Sequence, residues 1–546
     1  MNDLVIRNAK IVDGTGSPAY HGSVAVQDGI ISEVGEVSGS AKRTIDAGGR
    51  VVSPGFIDPH THMDLFLKLY PDGAPVVNYG VTTVVIGDCG ASCAPVPQTP
   101  ATLDILVSYL RRVMDKYVDP DQFEWKTFGD YLNYLEGRVG INVGAFIPHS
   151  PVRLVAMKDA AMERVATPGE LKAMLEMAQQ AWDDGAIGFS TSPKGGPAIH
   201  SDTPSTFADR DEMMAFADLI VGQGGIWQTN GARLALDPET LVNELTTSIK
   251  GRHILNEWAQ PADDPEMALR MGDFMEGQRQ QGQGVYGVVI PYRHIEKFRV
   301  ADFYAFAGLP EWDAISKEPE NLATSLADPD TRARIAAAAK DHAPAQYLED
   351  IHVRAVSNPS DDRWIGRSLG TAARESGTTP MEFVLSFLAR NAMDARFVLW
   401  GGGRNSSLKL LEQMITHPCG VIGTDAGAHL DRFFFHGAPA KLLGYWSRER
   451  QLLSLEQAVH KLTGFPAQIL GTSRGVLEAG RPADLVLFDP DTIDDGMGDI
   501  PPEVIDVEEV RRQPPGVHLV VVNGQVAVDD GVPTEQRAGR VRRWEL

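Results

Sequence analysis

The sequence predicts an α/β fold: a (β/α)8 barrel of the TIM type, with a small β-sandwich built from both termini and an inserted subdomain. Three observations lead there. Between residues 54 and 475, short apolar runs alternate with helical segments, the pattern of a parallel sheet wound with helices. Eight of those runs read as core strands, at 55–59, 83–87, 142–147, 185–191, 225–229, 254–257, 396–400 and 420–423. Polar residues with chemistry to offer (His60, Cys89, His149, Asn230 and Asp425) fall at or just past the ends of these runs, where such a barrel builds its site.

The first 53 residues read as short strands at 4–8, 10–12, 23–27, 30–34 and 43–46, with Asp13-Gly14 and Asp28-Gly29 as hairpin turns. Strands this short need a partner sheet, and apolar or alternating runs at 483–488 and 517–528 supply one. The simplest arrangement is one sandwich, its N-terminal part in 1–53 and its C-terminal part in 476–546, with the barrel of 54–475 between them. The interval from about 260 to 390 exceeds an ordinary barrel connection and reads as an insertion, with 284–290 as a strand inside it and the aromatic segment 298–312 following. A connection of that length serves as a lid or binding loop.

Composition narrows the class. With 546 residues, 43% hydrophobic and 23% charged, the chain reads as an ordinary globular protein, and its length favours one very large domain plus satellites or three to four ordinary ones. Fifty basic against 73 acidic residues give a formal charge of −23, which disfavours nucleic acid or an anionic membrane as partner. No apolar run reaches the roughly 18 residues of a membrane span, and the start Met1-Asn2-Asp3-Leu4 lacks a basic leader, so the expected location is the cytoplasm. Three cysteines, Cys89, Cys93 and Cys419, are too few for a disulfide framework.

The run Ser53-Pro54-Gly55-Phe56-Ile57-Asp58-Pro59-His60-Thr61-His62 ends a β-branched strand with two histidines at i and i+2. Residues two apart on a strand share a side, so both imidazoles reach one metal ion. In Gly87-Asp88-Cys89-Gly90 a cysteine stands where the next strand turns into a Gly-rich loop, a place that favours Cys89 as a thiolate ligand over Cys93. An aspartate is the one acidic group delivered by Val421-Ile422-Gly423-Thr424-Asp425, and Asp425 reads as metal ligand and general base. His149, at the end of the third strand, is either a core histidine or a donor to the scissile carbonyl. His21, His342, His417, His460 and His518 have no such context, and His253 enters its strand at the wrong end for the site.

Together these segments resemble the amidohydrolase superfamily, and within it the N-acyl-D-amino-acid deacylases (D-aminoacylases). The resemblance runs over nearly the whole chain and includes Pro148-His149-Ser150, the strand Gly185-Ala186-Ile187-Gly188-Phe189-Ser190-Thr191, Gly423-Thr424-Asp425-Ala426-Gly427-Ala428-His429, and the return strand from Gly475 to Val486. It implies that His60, His62, Cys89 and Asp425 form a tight zinc site, with the cysteine in place of a carboxylated lysine. It also implies that water on the zinc attacks a linear amide while Asp425 moves the proton, and that Tyr292 donates to the developing oxyanion or to a carboxylate.

The departures from that family are specific. Relatives with a second metal place one histidine at the fifth strand end and one at the sixth; here these ends read Trp227-Gln228-Thr229-Asn230 and Leu255-Asn256-Glu257-Trp258. One zinc per chain is therefore expected, with Asn230 and Asn256 or Glu257 as polar substrate contacts. The position of the family's substrate lysine is Trp258, and the remaining candidates for holding a substrate carboxylate are Arg153, Lys194, Arg233 and Arg293. Trp227, Trp258 and Phe433-Phe434-Phe435 suggest a large or aromatic small-molecule substrate. Hydrolysis of a cyclic amide, as in hydantoinases and dihydroorotases, is the alternative enzyme reading, and a non-catalytic metal-binding relative is the alternative class. Association into a homo-oligomer is an expectation by analogy with other large barrels.

Overall fold

The computed structural model describes residues 1–114, 118–194, 203–256, 258–261, 264–293, 295–300, 303–316, 321–391, 395–400, 405–428, 435–496 and 513–541. The N-terminal strand β1 (Asn2–Ile11) pairs antiparallel with β2 (Tyr20–Gln27), and β2 with β3 (Ile30–Gly35). Asp28 and Gly29 both adopt positive φ, 52° and 80°, the twist a two-residue hairpin requires. Strands β4 (Ala41–Asp46) and β5 (Val51–Pro54) run parallel to β1. The two strands expected at 4–8 and 10–12 are one: a register shift between Ile6 and Ala9, with Asn8 left-handed at φ 54°, bends the strand without ending it.

The chain then enters the barrel through β6 (Phe56–Asp58) and β7 (Val81–Ile86), followed by β8 (Asn142–Pro148), β9 (Gly188–Thr191), β10 (Ile226–Thr229), β11 (Arg252–Leu255) and β12 (Gly284–Val289). Each pairs in parallel with the next. Next come β13 (Ile295–Arg299), β14 (Ile351–Ala355) and β15 (Arg396–Trp400), which form their own antiparallel sheet, before β16 (Gly420–Ile422) returns beside β12. A parallel bridge between Thr61 and Ala426 brings the last strand back to the first.

Seven expected barrel strands are present, but the run at 396–400 is not the seventh. That place belongs to β12, and the insertion follows the seventh strand, later in the chain than the expected span of about 260–390. The inserted segment has an apolar core of its own, from Phe298 through Trp312, Trp364 and Phe383 to Leu399.

One residue from each barrel strand points inward at the same level: Ile57, Val85, Phe146, Ile226, Ile254, Val288 and Val421, with Ile187 just before β9. Ile469 and Leu470 cover the N-terminal end of this layer. The barrel is thus plugged below, and the polar inward residues of the site lie above this layer, toward the strand C-termini.

Strand β17 (Leu485–Phe488) pairs antiparallel with β5, and β18 (Val517–Val522), β19 (Gln525–Asp529) and β20 (Val532–Pro533) extend the same sheet. Both chain ends therefore build one nine-stranded sheet, and Leu4, Ile6, Val24, Val52, Leu485, Leu519 and Val521 share its buried core. Among the described residues, no helix is long and apolar enough to cross a membrane.

Candidate metal centre

Four side chains converge at the C-terminal mouth of the barrel. Nε2 of His60 lies 3.6 Å and Nε2 of His62 3.5 Å from Oδ1 of Asp425, and Cys89 Sγ is 3.7 Å from His60 Nε2. Ligand atoms of His60, His62 and Cys89 all lie within 4.8 Å of one another. Zinc bonds of about 2.0–2.3 Å set neighbouring donors of a tetrahedron roughly 3.3–3.8 Å apart, so these separations are those of donors around one ion. His60, His62 and Cys89 are buried, whereas the Asp425 side chain is 21% exposed, which puts the open side of the centre at the aspartate.

Local backbone explains how each donor is aimed. His60 and His62 leave β6 in an extended segment pinned to the eighth strand: the His62 amide donates to Ala426 O at 2.7 Å and the Asp425 amide to His60 O at 3.2 Å. The buried carboxylate of Asp58 joins the same two strands, accepting from the Thr424 hydroxyl and from the amides of Thr424 and His60. Cys89 and Asp425 both sit in left-handed backbone, φ 56° and 55°, so each side chain turns inward at a sharp bend. Gly427 follows with φ 86°, and a Cβ there would meet His62 O at 2.3 Å. Only glycine lets the two loops approach this closely.

The strained bend at Cys89 is held by every polar atom it offers. Its amide donates to Gln228 Oε1 at 2.9 Å, its carbonyl accepts from Ser192 Oγ at 2.6 Å and Tyr109 Oη at 3.2 Å, and its sulfur accepts from Asn256 Nδ2 at 3.2 Å. Burial pushes the Cys89 thiol up to about 11, so a thiolate at this depth needs a cation beside it. Nδ1 of His60 lies 3.1 Å from Oδ1 of Asp88, whose other oxygen accepts from the Thr61 amide at 3.3 Å. Burial works against a charged His60, but Asp88 and Cys89 outweigh it and hold the imidazole well above its ordinary range. A carboxylate behind a histidine whose far nitrogen faces a metal point is the usual means of fixing the ring.

Other expected site residues lie elsewhere. His149 does not face the centre: Nδ1 is 2.9 Å from Thr191 Oγ1, Nε2 is 2.7 Å from Glu212 Oε1, and the ring packs against Phe189 and Phe216. It continues the outward parity of Val143, Ala145 and Ile147 on β8 and sits between barrel and helices, with the buried Arg153 beside Glu212. That pairing also withdraws Arg153 from the substrate side. Trp258 is likewise a wall residue, its indole N–H on Ala268 O at 2.8 Å and its ring over Gly287 and Gly420. Trp227 packs outward on Phe189. Tyr292 is buried against Phe435 and close to Lys441, in a cleft that Arg293 and Asp495 also line, rather than among the converging donors.

Asn230 is buried beside the centre, its amide 3.5 Å from Ser192 Oγ. Asn256 touches the Cys89 sulfur itself. Lys194 and Arg233 are exposed, and Glu257, His429, Phe433 and Phe434 lie outside the described residues. Cys93 and Cys419 are buried, and Cys93 packs in the main core. His253 behaves as expected of a residue far from the site: it is buried, bonded to Ile249 O, and pushed down to about 4 by burial. The sequence reading missed Asp88 and Gln228. Asp88 had a signal in the chain, a carboxylate directly before Cys89.

A cluster of two imidazoles, a thiol and a carboxylate at the mouth of a (β/α)8 barrel defines a metal-dependent hydrolase in architecture. The chain belongs to the amidohydrolase family, whose model matches residues 43–225 and 311–528. It is a hydrolase of amide C–N bonds. A D-aminoacylase of Alcaligenes xylosoxydans xylosoxydans is 28% identical over 99% of this chain and 97% of its own. A crystal structure of D-aminoacylase, described by a binuclear metal centre with one-metal activation and second-metal attenuation, matches with TM-score 0.68 at 25% identity over 100% of both chains. N-acyl-D-glutamate deacylase of Bordetella bronchiseptica, solved with zinc and a phosphonate mimic of the tetrahedral intermediate, matches with TM-score 0.68 at 25% identity over 99% of each chain.

Proposed function

We propose that this chain is a zinc-dependent hydrolase of a linear amide, acting on the acyl link of N-acyl-D-amino acids or close analogues, with one metal ion per chain. The observation that carries the reading is that ligand atoms of His60, His62 and Cys89 lie within 4.8 Å of one another, with Asp425 Oδ1 3.6 Å and 3.5 Å from the two imidazoles. The names of the similar proteins support the acyl-D-amino-acid substrate class. One ion is favoured because the fifth and sixth strand ends offer the amides of Gln228, Asn230 and Asn256 in place of further imidazoles.

A divalent ion held here supplies Lewis acidity, polarising the amide carbonyl and making a water acidic near neutral pH. The protein does the rest. Asp425, on the open side, uses one carboxylate oxygen toward the donors and the other for proton work: it accepts a proton from the attacking water and passes it to the leaving nitrogen. The water oxygen bonds to the carbonyl carbon, the C–N bond breaks, and a carboxylate and a free amine result. His60 is kept in one orientation by Asp88, and Cys89 by Gln228, Ser192, Tyr109 and Asn256. Positioning of this kind keeps the reacting groups aligned without reorganisation during the reaction.

The test is release of free amine from a panel of N-acyl-D- and N-acyl-L-amino acids with short, long and aromatic groups, by zinc-supplemented protein with and without chelator. Chelator-sensitive release from D-substrates is the expected result. Silence across the panel, with turnover of a hydantoin or dihydroorotate, would overturn the linear-amide assignment.

A further inference from the structure

Asn256 closes one side of the Cys89 sulfur. Its Nδ2 donates to Sγ at 3.2 Å, while His60 Nε2 stands 3.7 Å from the same atom. The amide cannot easily withdraw, because Asn256 is only 9% exposed and its backbone is tied at both ends, N–H to Thr229 O at 2.9 Å and O from the Ala232 amide at 3.0 Å. At the next strand end Gln228 is turned to the Cys89 amide through Oε1, and its Nε2 has no hydrogen-bond partner among the described residues. At Cys89 these strand ends therefore present two amides, of which Asn256 turns its N–H to the sulfur and so opposes a cation there, and no imidazole among the described residues.

Resting on the reading of Cys89 as a metal ligand, we propose that Asn256 is a positioning residue: its N–H···S hydrogen bond caps the thiolate and restricts the centre to one metal ion. A hydrogen bond to a ligand thiolate draws electron density from sulfur, which weakens its donation and leaves the bound ion more acidic toward a substrate carbonyl. The same residue thus sets both the number of ions and the electronic character of the one that binds.

Cobalt(II)-loaded protein tests this, because thiolate-to-cobalt charge transfer reports the sulfur's electron density apart from turnover. Asn256→Leu, similar in size and without a donor, is expected to keep one cobalt and to move the band to lower energy, since the uncapped sulfur donates more strongly. Asn256→Asp, nearly isosteric, is expected to take up a second equivalent in excess metal, since a carboxylate replaces the capping N–H. A band of unchanged energy in the leucine variant, together with a single equivalent in the aspartate variant, would overturn the proposal. Absence of any thiolate band in the parent would instead refute Cys89 as a ligand. If the leucine variant does not fold, the aspartate variant carries both readouts.

Discussion

Replacing Asp88 by asparagine tests whether the centre is built from its support outward. The carboxylate holds Oδ1 3.1 Å from His60 Nδ1 as a charge contact and accepts the Thr61 amide through Oδ2, so both oxygens face nitrogens that carry or attract protons. An amide of the same shape has one oxygen. In either orientation its NH2 group faces one of these donors, so the substitution breaks one contact outright and removes the charge from the other. Hydrogen bonds to a charged group are worth about 1.5–3 kcal/mol, and loss of a carboxylate behind a ligand histidine weakens metal binding about 10- to 100-fold. Those two figures agree, because each tenfold step is about 1.4 kcal/mol. The expected outcome is a zinc Kd raised 10- to 100-fold, read by competition with a chromogenic chelator, with His62, Cys89 and Asp425 still in place. A Kd within about twofold of the parent would refute the claim that Asp88 orients His60.

Asp425→Asn is expected to retain zinc through its remaining carbonyl oxygen while losing about 10²- to 10⁴-fold in kcat, the range for a general base; undiminished turnover would remove that role. Glu212→Gln leaves the Arg153 guanidinium buried without its counter-charge and is expected to destabilise the fold by about 3–5 kcal/mol in urea titrations with kcat per folded molecule unchanged. A kcat loss in well-folded Glu212→Gln would return His149 to the catalytic machinery. Glu170, held at about 2 by Arg164 and the Thr167 cap, lies below its unfolded value. Its stabilising effect is present above pH 4.5 and fades as pH falls toward 2. The stability gap between parent and Glu170→Gln is therefore expected to shrink between pH 6 and pH 3, and a constant gap would contradict the assignment.

Much of the fold is legible in the chain because local signals agree with the final pairing. The Asp28-Gly29 hairpin, seven of the eight barrel strands and the joining of both termini, expected as a sandwich and built as one nine-stranded sheet, follow from turn chemistry and apolar patterning. The seventh strand is not legible in the same way. Arg396–Trp400 is the stronger apolar run, whereas Gly284–Val289 is diluted by glycines that read as weak strand formers. The reason for Gly287 is tertiary: a Cβ there would meet the Trp258 ring at 2.8 Å, so the indole that looked like a substrate contact is what the strand glycine accommodates.

The centre divides along the same line. His60, His62, Cys89 and Asp425 are readable because strand ends aim them, and each carries a residue type that binds metal. His149 sits at an equally suggestive strand end, yet its parity with Val143, Ala145 and Ile147 sends it into the outer layer. Applying the two-residue alternation to β8 as strictly as to the His60/His62 pair would have placed it there. Gln228 and Asn256 carry no sequence signal as supporting residues, since an amide acquires that role only from what folds beside it.

Metal content of the purified chain, measured by inductively coupled plasma mass spectrometry for the parent and for Cys89→Ala side by side, reaches the central claim most directly. One tightly held zinc per parent chain, lost or greatly weakened in the alanine variant, is the predicted result. Two tightly held ions per parent chain, or a full equivalent retained without the cysteine, would contradict it.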